Sequence, residues 1–85
     1  MTLAEIEKWV WDRINLHRDY TWSLDNSGYI ARLETGETYE YRETRPHQWS
    51  DEKTITIRIN GKTENISRYI SHNFGWKLVQ EEYAA

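Results

Sequence analysis

The 85 residues suit one domain, of a size at which folding removes only about 60 to 65% of the unfolded chain's surface from water, so its core must be small. There is no cysteine to supply a disulfide or a thiolate metal site, and the burial that is possible comes from a few large rings, among them five Trp and six Tyr. The net charge of −3 divides into −4 over residues 1–44 (5 basic, 9 acidic) and +1 over residues 45–85 (6 basic, 5 acidic), which gives no basic face for duplex nucleic acid.

Thr2 followed by Glu5 has the spacing of a capping box and predicts a helix start. Leu3, Ile6, Val10, Ile14 and His17 then fall on one helical stripe, with Trp9 and Trp11 on its two flanks, so one of the two indoles should pack against the sheet and the other should be more open. After Asp19 the period changes to two, through Tyr20, Trp22 and Leu24. "DNSG" predicts a turn before the strand "YIARLE". "ETGE" at 34–37 makes a tight connection with Gly36 free to take positive φ, leading into "TYEYRET", where Tyr39 and Tyr41 share a face. "TITIRI" places Ile55, Ile57 and Ile59 on one face and is the clearest half-buried strand in the chain.

In "NGKTENISRYISHNFGW" the pair Asn60–Gly61 allows either a hairpin or a strand end. Ile66, Tyr69, Ile70 and Phe74 recur at helical spacing ahead of Gly75, which predicts a second helix, and "WKLVQ" reads as a short last strand. The fold class expected from this order is α+β, an antiparallel meander of four to five strands packed with an N-terminal and a C-terminal helix over residues 1–85.

Chemistry-bearing motifs are sparse. His17, His47 and His72 are far apart, with no second His or Cys at metal-ligand spacing, and His17, on the helix face, and His72, near a helix C-terminus, have ordinary structural explanations. "HRD" at 17–19 matches a kinase triplet in letters only, and no Ser sits in a nucleophile motif. The expected protein is therefore not an enzyme and uses no metal or cofactor. The N-terminal residues are charged from Glu5 onward, and no run approaches the roughly 20 apolar residues of a membrane span, which suggests a cytoplasmic protein without a membrane partner.

The aromatic residues carry the remaining signal, and most are needed for the core. Trp49 is the exception, in "RETRPHQWSDEK", beside Pro46 and several charges. Two forms of answer stand: a plug over the open end of a small core, or an anchor for a partner's pocket. The candidate partner-binding residues are Trp49, Arg45, His47, Trp11 and Arg42.

The order helix, meander, helix, together with "RDYTWSLDNSG", a strand entered directly from the first helix and left by a polar turn, resembles small phage-encoded inhibitors of bacterial defence systems, the anti-CRISPR proteins among them. The resemblance is one of architecture and carries over no functional residue. It implies a stoichiometric protein that occludes a surface on a nuclease complex.

Together these features point to a non-enzymatic protein-binding module whose partner is another protein or protein complex, a homodimer being compatible with the same surface. Two alternatives use other features. One is single-stranded nucleic-acid binding, with Tyr39 and Tyr41 as stacking platforms. The other is a small subunit of a larger assembly.

Overall fold

The computed structural model describes residues 2–21, 23 and 26–83. One helix, α1 (Leu3–Trp11), precedes six strands: β1 (Ile14–Thr21), β2 (Asn26–Leu33), β3 (Thr38–Thr44), β4 (Glu52–Ile59), β5 (Lys62–His72) and β6 (Gly75–Tyr83). The strands form a single antiparallel sheet in sequence order, and α1 rests on one of its faces. This corrects the expected fold class: the chain is mostly sheet, with one short helix where two were expected and six strands where four to five were expected.

The helix starts where expected, with Thr2 as its N-cap: Thr2 Oγ1 accepts a hydrogen bond from the Glu5 N–H at 3.2 Å, one of the two bonds of a capping box. The helix ends at Trp11, and the Arg13 N–H donates to the Val10 carbonyl at 2.9 Å in a tightened last turn. Ile14 and His17, expected on the helical stripe, belong instead to β1, where Ile14 is paired with Leu33. A register irregularity between Ile14 and Arg18 interrupts the period of two that would have marked this strand. The His17 side chain, Trp22 and Leu24 lie outside the described residues. The two flanking indoles divide as expected: Trp9 packs against the core, and Trp11 is 53% exposed.

The core lies between α1 and the middle of the sheet. Ile6 and Val10 meet Ala31 and Leu33 of β2, Tyr39 of β3, and Ile55 and Ile57 of β4. The pairings Ala31↔Tyr39↔Ile59 and Tyr41↔Ile57 put these residues on one face by the two-residue alternation of strands. The opposite face is mixed: Glu40 accepts ion pairs from Arg42 at 3.0 Å and Arg58 at 3.9 Å, and the exposed Ile30 lies directly opposite Glu40.

The expected second helix is β5. Asn60 and Gly61, at φ 53° and 78°, form the tight hairpin turn that the Asn-Gly pair favours. The apolar residues misled because β5 turns polar side chains inward: Asn65 and Ser67 are 1% and 0% exposed, while Ile66 and Ile70 face away from the helix. Both buried side chains are bonded, Ser67 Oγ donating to Asn65 Oδ1 at 2.7 Å and Asn65 Nδ2 to the Glu82 carbonyl at 3.2 Å, which offsets the cost of burying them. Gly75 is not a helix cap; it pairs with His72 across the β5–β6 turn.

Gly28 was expected in a turn and instead sits inside β2, opposite Arg42. A Cβ there would lie 2.0 Å from the Tyr41 carbonyl oxygen, so any other residue forces β2 and β3 apart. Gly28→Ala should destabilise the fold by about 2–4 kcal/mol through this overpacking of backbone, read from the midpoint of urea unfolding. A midpoint equal to wild type would refute the close approach.

Fully buried Tyr39 donates its hydroxyl to Glu7 of α1. Burial, then the hydrogen bond to Glu7 and its charge, push the Tyr39 phenol far above its ordinary value of 10.0. Because the folded pKa is raised, this contribution to stability is complete below pH 10 and is lost progressively as pH rises above it. Stability should therefore fall with a proton-linked slope above about pH 10, and Tyr39→Phe should flatten that slope while costing about 1 kcal/mol at neutral pH. Chemical unfolding at several alkaline pH values tests both effects.

Candidate partner-binding surface

In an up-and-down meander alternate connections share an end of the sheet. The β3–β4 loop (residues 45–51) and the β5–β6 turn (Asn73–Phe74) therefore leave the same end, while the β2–β3 and β4–β5 turns leave the other. The loop is ordered by its own hydrogen bonds: Ser50 N–H to the His47 carbonyl at 3.0 Å, Trp49 N–H to His47 Nδ1 at 3.3 Å, and Glu52 N–H to Ser50 Oγ at 3.1 Å. The Ser71 N–H donates to the Asp51 carbonyl at 2.7 Å and fastens the loop to β5. Between loop and strand lies a groove of about 640 Å³ bordered by Pro46, His47, Asp51, Glu52 and Ile70.

Trp49 stands on this loop with 79% of its surface exposed, so it does not plug the core. Arg45 reaches back, its guanidinium carbon 5.2 Å from the centre of the Trp76 ring. The ammonium of Lys53 lies 4.4 Å from the same ring and 2.7 Å from the Glu43 carboxylate. Trp76 is thus contacted by two cations, one of them from the loop, and forms a base for it.

Of the five candidate residues, Arg45, His47 and Trp49 share this loop. Trp11 and Arg42 do not join them. Trp11 lies at the other end of the sheet, where the Glu34 N–H of the β2–β3 turn bonds the Arg13 carbonyl at 3.0 Å. Arg42 lies on the face away from α1, bonded to Glu40 at 3.0 Å and to Asn26 Oδ1 at 3.4 Å. Sequence reasoning missed Phe74, which is fully exposed at the tip of the β5–β6 turn. The available signal was the asparagine before it, a residue that tolerates the left-handed backbone of a two-residue hairpin turn.

A second aromatic surface lies on the helix-side face where α1 does not reach. Tyr29 stacks on Tyr41 with ring centres 5.6 Å apart, and Tyr20 leans on Tyr29 at 5.8 Å. Burial and the neighbouring Glu43 push the Tyr41 phenol well above its ordinary value. A shallow cleft of about 170 Å³ opens here between Tyr20, Ser27, Tyr41 and Glu43. Tyr39 is not part of this surface, because it lies buried beneath α1. That corrects its assignment as a stacking platform.

Among the described residues no three His, Asp or Glu side chains gather as a metal site, and no helix is long and apolar enough to cross a membrane. No protein-family model, curated protein or solved structure matches the chain.

The Lys53–Glu43 pair is nearly covered, with side chains 13% and 21% exposed. Lys53→Met should cost about 1–3 kcal/mol because it leaves a half-buried carboxylate without its cation. The double variant with Glu43→Gln should recover part of the loss. A double-mutant cycle by urea unfolding measures the coupling, and additive losses would show that the two charges act independently.

Proposed function

We propose that the protein is a non-enzymatic binding module that engages another protein through the loop end of its sheet, with Trp49 as the anchor. The observation that carries this reading is an indole 79% exposed on a loop that is itself ordered by hydrogen bonds and tied to β5. An aromatic side chain on a rigid support loses little conformational freedom on association, and Trp is enriched among the residues that dominate binding energy. Arg45 and His47 supply polar contacts beside it. Occlusion of a surface on a defence-system nuclease complex, as the anti-CRISPR resemblance implies, is a narrower form of the same reading. The helix that completed that architectural likeness is a strand here, and the likeness adds no residue to the site.

A second reading, single-stranded nucleic-acid binding, is favoured by the row Tyr20–Tyr29–Tyr41 on the uncovered part of the sheet. Glu43 borders that row and opposes a phosphate backbone. Oligonucleotide binding that weakens steeply with salt would put this reading first.

Trp49→Ala should weaken partner capture from the native host's lysate by more than about 1 kcal/mol, roughly fivefold, with the melting temperature nearly unchanged. Equal capture by wild type and variant overturns the anchor role. A large fall in melting temperature would show that the indole supports the fold.

A further inference from the structure

The β5–β6 turn holds Asn73 and Phe74 at φ 46° and 65°, in the left-handed region. Glycine enters that region without strain and asparagine does so readily, but a bulky aromatic residue there is a genuine outlier. The ring gains nothing in return from the fold, since Phe74 is fully exposed. Strain of this kind persists where a side chain's position serves another purpose. Beside the turn, on the same end of the sheet, is the groove between the 45–51 loop and β5.

The two features are complementary in chemistry. The tip segment 72–77 presents Phe74 with His72 and Lys77 and contains no acidic residue. The groove presents the apolar surfaces of Ile70 and Pro46 beside Asp51 and Glu52. Glu52 is shared with Arg68 at 3.4 Å, whereas Asp51 makes no ion pair among the described residues. A knob and a hole on the same end of one molecule satisfy the requirement of a twofold interface, in which each copy both gives and receives the same contact.

We propose that this end of the sheet is a self-association surface, with Phe74 of each copy seated in the groove of a second copy and Lys77 set against its Asp51. The exposed edge of β6 is a poorer route to the same dimer. A bulge shifts its register between Arg68 and Tyr69, so a twofold pairing centred on Val79 brings Lys77 opposite Glu81 from different faces of the sheet. Because Pro46, His47 and Asp51 of the Trp49 loop border the groove, this dimer and a complex anchored by Trp49 draw on the same end of the sheet.

Sedimentation velocity on the purified full chain, over about 1 to 500 µM protein, tests the proposal without a foreign ligand, and so fails or succeeds independently of the partner reading. A reversible monomer–dimer equilibrium is expected. Phe74→Gly should weaken it by about tenfold or more while raising the melting temperature, because it removes the knob and relieves the backbone. Phe74→Ala should weaken it equally without that gain, and Asp51→Asn should weaken it and reduce its dependence on salt. A chain that stays monomeric throughout the range, or a Phe74→Gly dimer as tight as wild type, overturns the proposal.

Discussion

The contact of Ile6 and Val10 with the middle of the sheet is the constraint on which the rest of the structure depends. At 1.5 Å per residue the nine residues of α1 extend about 13 Å, while six strands about 4.8 Å apart span roughly 24 Å. One short helix therefore cannot cover its face of the sheet. It closes over Leu33, Tyr39 and Ile57, its Leu3 backbone meets Tyr83 at the end of β6, and the loop end of the sheet is left without a second layer. A helix of this length has no independent stability in water, so helix and sheet hold each other in place.

The uncovered part of the face is built from side chains that tolerate both apolar and wet surroundings. Tyr20, Tyr29 and Tyr41 shield one another ring against ring. Lys53 lays its stem across the sheet, gives its charge to Glu43 and covers Trp76, so one residue serves as hydrophobic cover and ion-pair partner. Asn65 and Ser67 follow the same logic from inside, where mutual hydrogen bonds and the Glu82 carbonyl fix the register of β5 against β6. On the outermost strand every residue is exposed, and the bulge and the charges of Lys77, Glu81 and Glu82 discourage pairing along that edge.

What was legible in the sequence follows from how cleanly each element alternates. Ile55, Ile57 and Ile59 alternate without interruption, and Tyr39 and Tyr41 do the same, so both strands and their inward faces could be read directly. The β5 strand was illegible because its inward residues are Asn65 and Ser67, whose burial depends on hydrogen bonds formed only in the fold. With those positions polar, the outward Ile66 and Ile70 supplied a false helical period that outweighed the hairpin signal of Asn60–Gly61. Gly28 misled for a related reason: a glycine selected for close approach of two strands looks the same in sequence as one selected for a turn. Of the candidate site, the loop of Arg45, His47 and Trp49 was visible as a charged, proline-containing segment between strands, whereas Phe74 was lost inside the misread helix.

The topology also separates stability from recognition. The residues that hold α1 lie in the middle of the sheet, and the aromatic groups with no structural task, Trp49 and Phe74, stand on connections at the end away from the helix's C-terminus. A meander achieves this with purely local pairings, since each connection is fixed by the two strands it joins. The strained backbone at Phe74 can be carried because the β5–β6 ladder runs from Asn65↔Tyr83 up to His72↔Gly75 and over-determines the turn. The loop at Trp49 is held by a different device, the Ser71–Asp51 backbone bond and the Arg45–Trp76 contact. Both side chains are thus presented on backbone tied into the sheet by hydrogen bonds, which is the condition under which exposed aromatic surface favours one binding geometry over nonspecific adhesion.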